Sequence, residues 1–183
     1  MLYLFIGMVR NGKTLSVVNE AKKFFDDGYT IYSNTILSFN YIHLTREMIL
    51  KFEKEKLDLP PKTVFLISEI SAWFSSRNSM SSNNKIFSFF LSQLGKFTHD
   101  KQRGLTILAD TQFFSFLDKN GRQLTHELIE CIKINEIDNE YVDVLRIWKR
   151  NKQLTFKTFR KEIVRFDKDD FALYDTQGVV LSG

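Results

Sequence analysis

Hydrophobic and polar positions alternate between two periods along this chain. Residues 1–6 (MLYLFI) form an apolar run of strand length, too short for a membrane span or a signal-peptide core. Leu15, Val18, Ala21 and Phe25 then recur at helical spacing, and Gly28 follows as a C-terminal stop. Residues 29–34 (YTIYSN) predict a second strand, and 44–57 a helix whose alternating Glu and Lys face water. After Pro60 and Pro61, residues 63–67 (TVFLI) are continuously apolar and β-rich, ending in Ser68 and Glu69. Residues 104–109 (GLTILA) repeat that character and run into Asp110, Thr111 and Gln112. Continuous apolar strands separated by helical segments are the mark of a parallel sheet covered on both faces.

Beyond residue 122 the period changes. Segments 130–136, 141–149 and 156–166 predict strands, several with the alternation of a half-exposed antiparallel sheet. The chain thus divides into a core, 1–130, and a β-rich extension, 131–183, within a single domain. The extension carries much of the basic excess, in 144–150 (VLRIWKR) and 157–161 (KTFRK). Such a surface suits a nucleic-acid backbone or a subunit contact, and equally a solvated edge whose charges discourage aggregation.

Between the first strand and the first helix stands 7–14 (GMVRNGKT), which satisfies G-x-x-x-x-G-K-[ST] at every position. Strand, glycine loop and helix occur in the order that phosphate binding requires. Gly7, Met8, Val9, Arg10, Asn11, Gly12, Lys13, Thr14 and Leu15 are therefore the candidate nucleotide-binding residues. The two glycines let the loop wrap closely, the helix N-terminus faces the anion, Lys13 reaches the outer phosphates, and the Thr14 hydroxyl can ligate Mg²⁺.

The later strands refine this picture. Ligands of open α/β sheets gather at the carboxyl ends of the strands. Glu69 lies where a carboxylate polarises the attacking water. Ser68 occupies the place usually held by an acid, so support of the metal there would come from a hydroxyl through water. Gln112, able to donate and accept, is placed to sense the γ-phosphate.

Length and composition permit this reading. The 183 residues are 43% hydrophobic and 26% charged with net charge +4, which suits one globular domain and excludes disordered and collagenous classes. The lone Cys131 has no partner for an internal disulfide and points to a reducing compartment. His43, His99 and His126 show no paired spacing for a zinc site, and no nucleophile elbow is present. The 18 Phe include Phe87, Phe89, Phe90 and Phe97, spaced with Leu91 and Leu94 as core positions of one helix. The polar run 75–84 reads either as a flexible loop or as one that touches DNA through hydroxyls, amides and Arg77.

Taken in order, the phosphate loop, the strand ending in Glu69, the helix end with His99, Lys101 and Arg103, and the strand ending in Asp110, Thr111 and Gln112 resemble the FtsK/HerA-type P-loop ATPases. Within them the chain is most similar to Zot-like and viral genome-packaging or assembly ATPases, and 171–176 (FALYDT) resembles an ending seen in many of these proteins. The resemblance implies a RecA-like fold, with a mostly parallel sheet flanked by helices. It also implies ATP and Mg²⁺ as ligands, Lys13, Glu69 and Gln112 as catalytic residues, and Thr14 and Ser68 at the metal. A homo-oligomer, a hexameric ring above all, acting on double-stranded DNA follows from the same resemblance. So do a virion or membrane-associated protein partner, and residence in the cytoplasm of an infected or host cell or with the virion; the chain itself, with no apolar run near the roughly 20 residues of a helical span, is expected to have no intrinsic membrane span. Ring ATPases complete their sites with an arginine from a neighbour. Arg77, Arg103 and Arg122 are candidates. A small nucleotide or nucleoside kinase, and an assembly or secretion protein that turns ATP over poorly, are the rival readings.

Overall fold

The structure is a computed structural model and describes residues 1–55, 59–73, 90–91, 105–137, 140–152 and 155–175. Strand β1 (Leu2–Ile6) leads through the glycine loop into helix α1 (Lys13–Asp26). Strands β2 (Thr30–Ser33) and β3 (Ile42–His43), helix α2 (Arg46–Glu55), strand β4 (Thr63–Ile67) and the short helix α3 (Ile70–Trp73) follow. Strand β5 (Thr106–Thr111), a 3₁₀ turn (Phe114–Phe116) and helix α4 (Lys119–Leu124) precede three long strands, β6 (Glu127–Ile137), β7 (Tyr141–Lys152) and β8 (Thr155–Asp167). Helix α5 (Lys168–Phe171) is the last element among the described residues.

All strands join one sheet in the order β3-β2-β4-β5-β1-β6-β7-β8. Pairing is parallel from β3 to β6 and antiparallel from β6 to β8. The two pairing modes have the sequence patterns expected of them. In β4, Val64 and Leu66 pack with α1 on one face, while Phe65 and Ile67 pack on the other with Ile49, Trp73 and Phe90. Both faces are covered, so every residue of β4 is buried and the strand reads as unbroken hydrophobicity. Strand β8 has water along most of its length, and the same rule leaves it mixed.

Helix α1 forms where the periodic pattern predicts it, with Leu15, Val17, Val18 and Ala21 buried against the sheet. Helix α2 begins at Arg46, two residues later than the predicted 44–57, and Leu44 is buried ahead of it, while residues 56 and 57 lie outside the described residues. Phe90 and Leu91 are helical and buried in the core. The other aromatic positions of that predicted helix, and the polar run 75–84, lie outside the described residues.

Strand β6 carries the sheet across residue 130. Its first residues pair with β1, from Tyr3 opposite Glu127 to Ile6 opposite Glu130. Its later residues continue beyond the end of β1, alongside the glycine loop, while pairing with β7. The basic segment of β7 is not uniformly a solvent face: Arg146 is fully buried, and its guanidinium meets helix α1.

Candidate nucleotide site

The loop from Gly7 to Gly12 is shaped by close approach to the extended strands. A Cβ on Gly7 would lie 2.5 Å from the Cys131 carbonyl oxygen, and one on Gly12 would lie 2.5 Å from Val144 Cγ2. Gly12 also has φ 74°, a left-handed conformation that costs an L side chain about 1 kcal/mol or more. The loop is held by the Gly7 N–H donating to the Gln112 carbonyl at 3.4 Å, and by Asn11 Nδ2 donating to the Cys131 carbonyl at 3.4 Å. Met8, Val9 and Arg10 project into solvent.

Gly12 is the N-cap of α1 and supplies no side-chain acceptor, so no cap occupies the first N–H groups of a 14-residue helix. Those donors and the positive end of the helix dipole make an anion site. Lys13 is buried, with Nζ donating to the Met8 carbonyl at 3.2 Å, which keeps the amine folded under the loop.

Two carboxylates face this loop from neighbouring strands. Ile67 of β4 is in register with Ala109 of β5, so Ser68 and Asp110 are the next residues along each strand. Asp110 is fully buried and accepts from the Glu69 N–H at 2.7 Å and from Ser68 Oγ at 3.2 and 3.3 Å. Burial pushes its carboxyl above the usual aspartate range, while the Glu69 N–H, the Thr14 hydroxyl, the Lys13 charge and the Ser68 hydroxyl pull the other way. Glu69 has φ 49°. Burial, and then the charge of Asp110, raise its pKa, with Lys13 opposing them. A half-buried glutamate displaced upward is closer to what general-base work at neutral pH needs.

Asn34, at the end of β2, fixes the turn between these groups. Its Nδ2 donates to the Ser68 carbonyl at 3.0 Å and its Oδ1 accepts from the Ser68 N–H at 2.8 Å. The segment that follows α5 closes the same side. Tyr174 forms a bridge with Leu37, and burial together with the Asp110 charge pushes its hydroxyl up to about 12.

The structure therefore brings Lys13, Thr14, Ser68, Glu69 and Asp110 together, and draws the Gln112 backbone against the loop. Arg122 is elsewhere. Helix α4 leads into the start of β6, where the His126 N–H donates to the Leu2 carbonyl at 2.9 Å, at the opposite end of the strands from the loop. Its Nη1 donates to the Ser115 carbonyl at 3.3 Å. Arg77 and Arg103 lie outside the described residues, as do His99 and Lys101. Sequence reasoning passed over Asp110 and Asn34 as site residues. The available signal was an acid closing the otherwise apolar strand at 106–109.

The donors beside the loop are oxygen atoms of a hydroxyl and two carboxylates, which fits a hard cation such as Mg²⁺. Among the described residues no group of three or more His, Cys, Asp or Glu side chains forms a metal cage.

Strand order, parallel core and glycine loop define the fold as that of the RecA-like P-loop NTPases. The chain is similar in structure to the N-terminal domain of zonular occludens toxin from Neisseria meningitidis, with a TM-score of 0.61 at 17% identity, over 95% of this chain and 98% of that one. It is similar also to the genome packaging NTPase B204 from Sulfolobus turreted icosahedral virus 2 in complex with ATP-gammaS, with a TM-score of 0.54 at 11% identity over 87% and 96%. The same NTPase in complex with AMPPCP aligns with a TM-score of 0.53, at the same identity and coverage. No protein-family model and no curated protein matches the sequence. Among the described residues no helix is long and apolar enough to cross a membrane.

Proposed function

We propose that this chain binds ATP with Mg²⁺, hydrolyses it, and works as a homo-oligomeric ring that moves double-stranded DNA in the packaging or assembly of a virus or mobile element. The observation that carries the reading is the uncapped N-terminus of α1 behind a matching phosphate loop, with Lys13 beneath it and Glu69 beside it. In this reading the loop N–H groups and Lys13 hold the phosphates, and the Thr14 hydroxyl and the carboxylates opposite it would hold the ion. Bound Mg²⁺ neutralises charge on the outer phosphates. Glu69 accepts a proton from the attacking water, and Gln112 orients that water. A neighbour's arginine, Arg77, Arg103 or Arg122, stabilises the transition state.

DNA and ring formation are supported by the fold shared with a genome packaging NTPase, together with the motif order. The basic strands β7 and β8 form one candidate contact for DNA or for the next subunit. Arg146 is withdrawn from that surface by burial. Cytoplasmic or virion-associated residence and a virion or membrane-associated partner belong to the same proposal.

The test is ATPase activity with and without double-stranded DNA, alongside mass measurement with a non-hydrolysable ATP analogue. DNA-stimulated hydrolysis by a ring is expected. Phosphate transfer to a small acceptor by a monomer would replace the motor with a kinase.

A further inference from the structure

We infer that Asp110, not residue 68, is the carboxylate that positions the magnesium ion in this nucleotide site. The inference rests on the proposed ATP site. P-loop NTPases hold Mg²⁺ with the loop Ser/Thr and an acid from a second motif, expected here at the end of β4. Ser68 puts a neutral hydroxyl where that acid is expected. Ser68 is 3% exposed, and its hydroxyl is hydrogen-bonded to Asp110.

The topology explains how the charge can move without leaving the site. Strand β5 lies between β4 and β1, and Asp110 follows in register beside Ser68. Asp110 is thus one strand closer, about 4.8 Å, to the strand that carries the phosphate loop. From there its carboxylate interacts with the Thr14 hydroxyl and the Lys13 charge.

A fully buried carboxylate is costly when its hydrogen-bond partners are neutral. Among the described residues the hydrogen-bond partners of Asp110 are a backbone N–H and hydroxyls, and Lys13, whose amine donates to the Met8 carbonyl, acts on it only by its charge. Holding the Ser68–Glu69 turn requires only an acceptor, which the amide oxygen of asparagine would supply equally well. The negative charge is what the turn does not need and a divalent cation does.

Asp110→Asn separates the two roles, because it keeps an acceptor for the Glu69 N–H and removes the charge. Affinity of the full chain for ATP-gammaS is measured by calorimetry in EDTA and in Mg²⁺, and Mn²⁺ affinity of the nucleotide complex by electron paramagnetic resonance. The variant should keep the EDTA affinity while Mn²⁺ binding weakens at least about tenfold, as loss of a metal-supporting side chain typically does. The double variant Ser68→Asp/Asp110→Ser should recover most of the Mn²⁺ affinity, and it stands in for Asp110→Asn if that variant does not fold. Wild-type Mn²⁺ affinity in Asp110→Asn overturns the inference alone, as does a folded double variant whose Mn²⁺ affinity stays at least about tenfold below that of the unaltered chain. Failure of the unaltered chain to bind ATP-gammaS in either condition overturns the ATP site and this inference together.

Discussion

Gly12 of the phosphate loop and Val144 of strand β7 approach so closely that a Cβ on the glycine would fall 2.5 Å from Val144 Cγ2. The residues are far apart in sequence, and the contact makes the antiparallel extension the back wall of the nucleotide site. Gly12→Ala should destabilise the protein twice over. Overpacking costs about 1–3 kcal/mol, and the left-handed backbone adds about 1–2 kcal/mol. Val144→Ala should return part of the loss, because it relieves the packing and leaves φ unchanged. Denaturant melts of the single and double variants check this, and additive losses would show that the two side chains do not meet.

Arg146 ties the same strand to helix α1. Its Nε donates to Ser16 Oγ at 3.1 Å, Nη1 to Glu20 Oε1 at 2.6 Å and Nη2 to the Ser16 carbonyl at 3.3 Å, and its guanidinium lies 5.1 Å from the centre of the Phe166 ring. Removing one partner of a buried charge pair typically costs about 3–5 kcal/mol. Arg146→Ala should therefore lose stability on that scale. Arg146→Lys should recover only part, since an ammonium cannot reproduce the planar fork. A melting temperature for Arg146→Lys equal to the wild type would show that charge alone holds the strand.

Cys131 is buried, and burial pushes its thiol up to about 11, with Ser16 the largest opposing influence. In the native chain it should resist thiol reagents at pH 8 and react on unfolding. The sign of the pH effect follows from the raised value. Above the ordinary value of 9.0 the unfolded chain loses this proton while the folded chain keeps it, so this contribution to stability falls from pH 9.0 to about 11. Cys131→Ala should flatten that part of the stability profile, measured by denaturant titration across the range.

Lys13→Ala should abolish ATP binding, which calorimetry can follow. Glu69→Gln should retain nucleotide and lose hydrolysis by about 10²–10⁴-fold, the usual scale of general-base catalysis. Unchanged turnover in Glu69→Gln would remove Glu69 from the chemistry.

The legible parts of the site are those made from contiguous residues. Gly7 to Leu15 carry a spacing whose geometry is local, and α1 begins at Lys13 because the pattern switches period there. The strand ends at Glu69 and Gln112 were readable because buried parallel strands are apolar until they reach the ligand edge. Asp110 was visible as an acid after an apolar run, but its task was not. That task depends on which strand lies beside β1, and sequence order places β4 and β5 next to each other without saying which is inner. Arg146 was misleading for a related reason. Its neighbours Lys149 and Arg150 are at least partly exposed, and nothing local shows that position 146 points at Ser16 and Glu20.

Local chemistry by itself determined the glycine loop, the helix behind it and the two-sided burial of the core strands, because each depends on residue type and spacing within a few turns of chain. Tertiary structure alone decided what stands against them. The order β4-β5-β1 sets the Asp110 carboxylate beside Thr14 and Lys13, and the continuation of β6 past the end of β1 packs Cys131 and Val144 against Gly7 and Gly12. Those relationships join residues far apart in the chain, and only the pairing of strands makes them neighbours.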